Sequence, residues 1–208
     1  MSTALKRLTV EEYLALEAQS DVRHEYYDGE LFAMAGGTLT HSLIKVNAGS
    51  AMSALLRERG CLVCNSDMMV FCPTGLRTYP DLSIVCERPR CEDDREVVLL
   101  NPLAIFEVLS ETTEAYGRGK KFDHYQSIAS LREYVLVSQD RPHVDRFTRQ
   151  EGGEWLLAKY EGLQATVTLP SLGCSVPMAE VFAGVDLGGL TERSPAGEQN
   201  PRTEVVRD

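Results

Sequence analysis

Leu103 to Leu109 is an apolar run interrupted by a single acid, Glu107. Apolarity on successive positions predicts a strand buried on both faces, hence a central one. Other segments carry equally local signals. Thr9-Val-Glu-Glu12 has the form of a capping box and predicts a short helix from Val10 to about Glu17. Arg23 to Met34 predicts two strands around Asp28-Gly29, a dipeptide favoured in type I′ hairpin turns. Thr38 to Arg59 predicts a long helix, with Leu43, Val46, Met52, Leu55 and Leu56 on one broad side and Gly60 as its stop.

Cys61 to Phe71 predicts a strand region bent at Asn65-Ser66, and Tyr79 to Cys86 a further strand. Arg88 to Glu96 is charged, holds a proline and reads as a surface loop. A helix from about Arg118 to Ile128 and a strand from Glu133 to Ser138 follow. Val144–Thr148 and Trp155–Tyr160 form a second hairpin pattern around Glu151-Gly-Gly153. Val167–Leu169 predicts a short strand, and Met178–Phe182 a helical turn. No internal repeat is visible. Strands interspersed with helices predict an α/β (α+β mixed) domain, a mixed sheet flanked by helices, over residues 1–183. From Gly184 to residue 208 large apolar residues are few, which predicts a disordered tail.

Composition narrows the class. Of 208 residues 43% are hydrophobic, enough for one core. No stretch approaches the roughly 18 apolar residues of a membrane span, and the N-terminus lacks an apolar signal segment, so a cytoplasmic protein is expected. Six cysteines, five of them between 61 and 91, lie mostly within apolar runs and read as buried free thiols. Cys61 and Cys64 have C-x-x-C spacing, but residues three apart on a strand face opposite sides and do not converge on one zinc. The net charge of −10 argues against a protein that grips nucleic acid through a broad basic surface. It leaves room for a nuclease, because carboxylates that bind a cation contribute to it.

Glu107 is the first chemical candidate, because an ionised carboxylate in a buried strand is costly unless paired or metal-bound. A solvent-facing strand end or a structural ion pair would also account for it. Asp81, in Tyr79-Pro-Asp-Leu-Ser-Ile-Val85, opens a strand, although Pro-Asp is also a turn dipeptide. Two such acids on two strands can share a cation, and oxygen ligands suit Mg²⁺ or Mn²⁺. Lys121 shares a helix face with Tyr125 and Ile128, although Arg118-Gly-Lys-Lys121 could equally be a solvated basic helix start. The first hairpin adds Glu25 and Glu30 as possible further ligands or as plain exposed acids. Asp28 is accounted for by its turn. His41 opens a helix whose N-terminus could face a phosphate, or it serves as a cap or core residue. Nucleophile-elbow, P-loop, G-x-G-x-x-G and H-E-x-x-H patterns are absent.

Taken in order, YYDGELFAMAGG, NSDM, TYPDLSIV, LNPLAIFEVLSE, KKFDHYQSIASLREYVLVSQDRPHVDRF and GGEWLLAKYEGL resemble a bacterial family of restriction-endonuclease-like proteins. That family is abundant in cyanobacteria, was first known only as a domain of unknown function, and is a branch of the PD-(D/E)XK nuclease superfamily. The resemblance runs from about Leu8 to Phe182. It implies a restriction-endonuclease-like core with extra hairpins and a Mg²⁺- or Mn²⁺-dependent endonuclease acting on DNA. Asp81, Glu107 and the carbonyl of Val108 would hold the metal, with Glu25 as a looser additional acid. In the wider superfamily the lysine follows the acid by two residues, where this chain has Leu109. In this branch it lies on the next helix, at Lys121, beside Tyr125. The family often carries an acid at the place of Gly117 and a proline at that of Leu39. Nucleases that cut both strands often act as homodimers. Membership alone leaves open a catalytically inactive nuclease-like fold serving as a DNA-binding or protein-interaction module, and a hydrolase of another phosphate ester.

Overall fold

A computed structural model describes residues 7–34, 36–110 and 113–187. Helix α1 (Val10–Glu17) begins where the capping box places it: Thr9 Oγ1 accepts the Glu12 amide, and Glu12 returns a carboxylate oxygen to the Thr9 amide. Strands β1 (His24–Tyr27) and β2 (Glu30–Ala33) pair antiparallel about a turn in which Asp28 and Gly29 both take positive φ, as a type I′ turn requires.

Helix α2 (Leu39–Leu56) is capped by Thr38 and runs into a 3₁₀ turn that ends at Gly60, φ 70°. It buries Ile44, Ala48, Met52 and Leu56, a series of fours, whereas Val46 and Leu55 are exposed and Leu43 is half-buried. The expected face is therefore corrected. Val46 lies about 200° around the helix from Ile44 and cannot share its ridge.

Strands β3 (Leu62–Asn65), β4 (Met69–Phe71), β5 (Arg77–Thr78), β6 (Leu82–Val85), β7 (Val98–Leu99) and β8 (Ala104–Leu109) follow. The bend expected at Asn65-Ser66 separates β3 from β4, and β6 is shorter than expected, so Asp81 stands just before it. The helix expected from about Arg118 to Ile128 is α4 (Lys120–Gln126), and a further short helix, α3 (Glu114–Arg118), precedes it across Gly119, whose φ and ψ of −109° and −106° leave helical space. Then come β9 (Glu133–Ser138), β10 (His143–Arg149), β11 (Trp155–Glu161), β12 (Thr166–Leu169), β13 (Cys174–Pro177) and α5 (Met178–Val181).

The main sheet has the order β11-β10-β9-β8-β6-β3; only the β8–β9 pair is parallel. A smaller sheet, β2-β1-β5-β4-β7, and the β12–β13 hairpin complete a mixed α+β fold. All six residues of β8 are buried. Ala104, Phe106 and Val108 face a core shared with α2, while Ile105 and Leu109 face one shared with Phe122, Tyr125 and Ile128. Glu107, by alternation, belongs to the α4 side. Val185 and Leu187 are buried against the α2 core. Both belong to the tail expected from Gly184, whose remaining residues, from 188 onward, lie outside the described residues.

The expectation of buried free thiols is corrected at two positions, because Cys61 and Cys86 form a disulfide. The register that pairs Leu62 with Val85 sets these cysteines opposite each other one step further along. Of the free cysteines, Cys72 is buried and Cys64, Cys91 and Cys174 are half-buried. No helix among the described residues is long and apolar enough to cross a membrane.

Candidate active site

The β8–β9 pair is parallel, so the chain between them must cross back over the sheet, and α3 and α4 are that crossover. The crossover lays α4 on the face of β8 that carries Glu107. Lys121, one residue into the helix, is therefore suspended over the acid. Its Nζ lies 2.8 Å from Glu107 Oε1 and 3.0 Å from Glu25 Oε1. One turn later Tyr125 donates its hydroxyl to the same Glu107 oxygen at 2.7 Å. Lys121 and Glu107 are only 6% and 8% exposed.

The antiparallel pairing of β6 with β8 ends at Leu82 and Phe106, and Asp81 stands one residue before Leu82, next to the stretch of β8 that carries Glu107 and Val108. Asp81 Oδ2 accepts the Val108 amide at 2.8 Å and faces His41 Nε2 at 3.3 Å; Lys45 Nζ is 3.9 Å from Oδ1. His41 and Lys45 are four apart on α2 and project together. His41 also donates its backbone amide to the Thr38 cap, so the capping and site roles coexist. Glu25 arrives from β1, where it accepts the hydroxyls of Thr78 and, at 3.2 Å, of Tyr116.

The structure thus brings together Asp81, Glu107, Lys121, Tyr125, Glu25, His41 and the backbone of Val108. Glu30 is exposed on β2 opposite Tyr27 and takes no part in the cluster. Sequence reading missed Thr78, Tyr116 and Lys45. The i, i+4 relation of Lys45 to His41 was a usable signal, whereas nothing local marked the other two. Gly117 sits where a Cβ would lie 2.9 Å from Leu109 Cδ2, and its carbonyl accepts the Tyr134 hydroxyl. Arg118, paired with Glu114 and Asp145, fastens the end of α3 just before Lys121.

Charges in the cluster are mutually tuned. Burial pushes the Glu107 carboxyl up and Asp81 adds to this, so Lys121 offsets the rise only in part. Burial would lower Lys121, but Glu107 and Glu25 hold its ammonium well above the ordinary lysine value. Burial would raise Glu25 and Asp81, yet both lie below the ordinary carboxylate value. Lys121 and the Thr78 hydroxyl hold Glu25 down; His41, the Val108 amide and Lys45 hold Asp81.

A lowered carboxyl binds fewer protons folded than unfolded, so its stabilisation is present above the unfolded value, about pH 4, and is lost as pH falls through the folded one. Glu107, being raised, has the opposite sign. Glu25→Gln is therefore expected to flatten the acid limb of stability measured by urea unfolding between about pH 3 and pH 5. A limb as steep as the parent's would contradict the assignment.

Among the described residues no three His, Cys, Asp or Glu side chains form a ready metal cage. Two carboxylates, Glu107 on β8 and Asp81 just before β6, are nonetheless donors of the kind Mg²⁺ takes, since it commonly binds one or two carboxylates and completes its shell with water and substrate phosphate.

Comparison with known proteins agrees with this architecture. An uncharacterised protein of Synechocystis sp. is 34% identical over 185 residues, covering 88% of this chain and 96% of its own. A second from the same organism is 29% identical over 163 residues, covering 78% and 92%. A crystal structure from Anabaena variabilis, described as "a putative nuclease belonging to DUF820", superposes with a TM-score of 0.69 at 19% identity, covering 84% of this chain and 97% of its own. That likeness establishes the fold. The model of the Uma2 family, described as "Putative restriction endonuclease", matches residues 10–179, and this chain belongs to that family.

Proposed function

We propose that this protein is a metal-dependent endonuclease that hydrolyses phosphodiester bonds of DNA, using Mg²⁺ or Mn²⁺. The supporting observation is the meeting of Asp81, Glu107 and Lys121, residues distant in sequence, at one end of the central strands. Asp81, Glu107 and the Val108 carbonyl would supply the metal's oxygen ligands, with Glu25 as a further acid. When bound, the metal supplies Lewis-acid polarisation of a phosphoryl oxygen and activation of water. Lys121 orients the attacking water or stabilises charge growing on the phosphate, and needs its ammonium for either task. Tyr125 holds Glu107 in place through its hydroxyl. His41 holds Asp81 from the other side. One cluster cuts one strand, so a homodimer belongs to the proposal for duplex substrates, with the cytoplasm as its compartment.

The decisive test pairs calorimetric titration of Mn²⁺ with a plasmid cleavage assay. The parent is expected to bind Mn²⁺ at low-millimolar concentration or tighter and to nick DNA only with a divalent ion. Asp81→Asn is expected to lose both. Absence of Mn²⁺ binding by the parent would overturn the assignment. The alternative is a catalytically silent nuclease-like module that binds DNA or protein. It draws support from the same Lys121 contacts, which neutralise Glu25 and Glu107 within the protein itself. It predicts DNA binding without metal-dependent cleavage.

A further inference from the structure

A groove of about 530 Å³ opens between α2 and β3, the edge strand of the main sheet. Lys45, Gly49, Ser53 and Arg57 line one wall at intervals of four, and Asn65 lies on the other. Lys45 links the groove to the acid cluster, since its Nζ lies 3.9 Å from Asp81 and donates to Ser66 Oγ at 3.1 Å. Arg57 is exposed and pairs with no carboxylate among the described residues.

No Asp or Glu lines this groove, although the chain carries 31 acids against 21 Lys and Arg. No aromatic ring lines it either, so bases have nothing to stack on. The groove has a cation towards each end, with hydroxyl and amide groups and the apolar side chains of Val46, Ala54, Val63 and Leu82 between them, and cations without an acid in the lining favour a polyanionic backbone. Lys45 and Arg57 are twelve residues apart on the helix, about 18 Å, or on the order of five nucleotide rises of a B-form strand.

We propose that this groove carries the phosphate backbone of the DNA strand flanking the cut. Lys45 grips the phosphate nearest the acid cluster, and Arg57 the far end. This rests on the nuclease proposal and extends it by naming the face on which the strand leaves. Contacts of this kind are independent of base sequence and weaken steeply with salt.

The test is binding of a fluorescently labelled DNA duplex to uncut complexes without divalent ion, read by anisotropy across a salt series. Arg57→Glu, and Arg57→Gln as the milder variant, are compared with Lys159→Glu. Lys159 is an exposed cation on β11 at the opposite edge of the sheet. Arg57→Glu is expected to weaken binding about tenfold, and either Arg57 change to reduce the slope of log affinity against log salt by about one. Lys159→Glu is expected to leave affinity within about twofold. Equal effects of Arg57→Glu and Lys159→Glu, or an unchanged slope, would overturn the groove assignment. A parent that binds and cuts DNA while ignoring Arg57→Glu removes the groove alone. A parent that binds no DNA removes the nuclease proposal with it.

Discussion

Glu107→Gln is expected to lower Mg²⁺-dependent DNA cleavage by on the order of a thousandfold, because the lost metal ligand removes several kcal/mol of transition-state stabilisation. The fold should survive. Burial already pushes this carboxyl towards its neutral form, whose shape glutamine copies. The Tyr125 hydroxyl keeps an oxygen to donate to, and Lys121 keeps Glu25.

Glu133→Gln is the matched control. Glu133 is another fully buried acid with a raised carboxyl, on the adjacent strand β9. It lies on the α2 face of the sheet, since it pairs with Ala104, and one of its oxygens accepts the Ser171 amide. Its replacement is expected to change stability but leave cleavage within a few-fold of the parent. Single-turnover cleavage of a supercoiled plasmid, with melting temperatures for all three proteins, would decide. A Glu107→Gln enzyme as active as the Glu133→Gln enzyme would remove the acid from the reaction.

The parts of the fold legible in the sequence are those whose signals are local. The Thr9 capping box, the Asp28-Gly29 turn and the buried run of β8 each declare themselves within a few residues. Two-residue strands do not. Arg77 and Thr78 form β5 only because Tyr26 lies on one side and Phe71 and Val70 on the other. That pairing is what delivers the Thr78 hydroxyl to Glu25. The Cys61–Cys86 bond was hidden for the same reason, since it follows from the β3–β6 register and not from cysteine spacing.

On α2 the expected stripe held Met52 and Leu56 of the buried ridge but took in the exposed Val46 and Leu55 and left out Ile44 and Ala48, which complete the series of fours. The site was legible to the extent that it contradicted its surroundings. Glu107 is an acid in an otherwise apolar strand and could be singled out unaided. Lys121 and Glu25 gained meaning only from the order of motifs along the whole chain, since the contact between them spans the β1 hairpin and the β8–β9 crossover.

Lys121→Met is expected to be the most destabilising of the site variants and to show why the lysine is there. It retains the buried methylene stem but leaves two carboxylates without their cation. Removing one member of a buried pair typically costs about 3–5 kcal/mol, which for a body of this size corresponds to on the order of 10 °C in melting temperature.

The loss should depend on pH with a definite sign. Without Lys121, Glu107 rises further and folds best when protonated, so its stability contribution is kept at low pH and lost as pH rises through the folded value. The gap between variant and parent should therefore narrow as pH falls and widen as pH rises. Mn²⁺ offers a second readout. A cation taken up by Asp81 and Glu107 would replace the missing ammonium, so the ion should raise the melting temperature of Lys121→Met by more than that of the parent. Equal metal-induced shifts in the two proteins would mean that lysine and metal do not answer to the same acids. In that case Lys121 would be a structural counter-ion, and the catalytically silent alternative would gain the advantage.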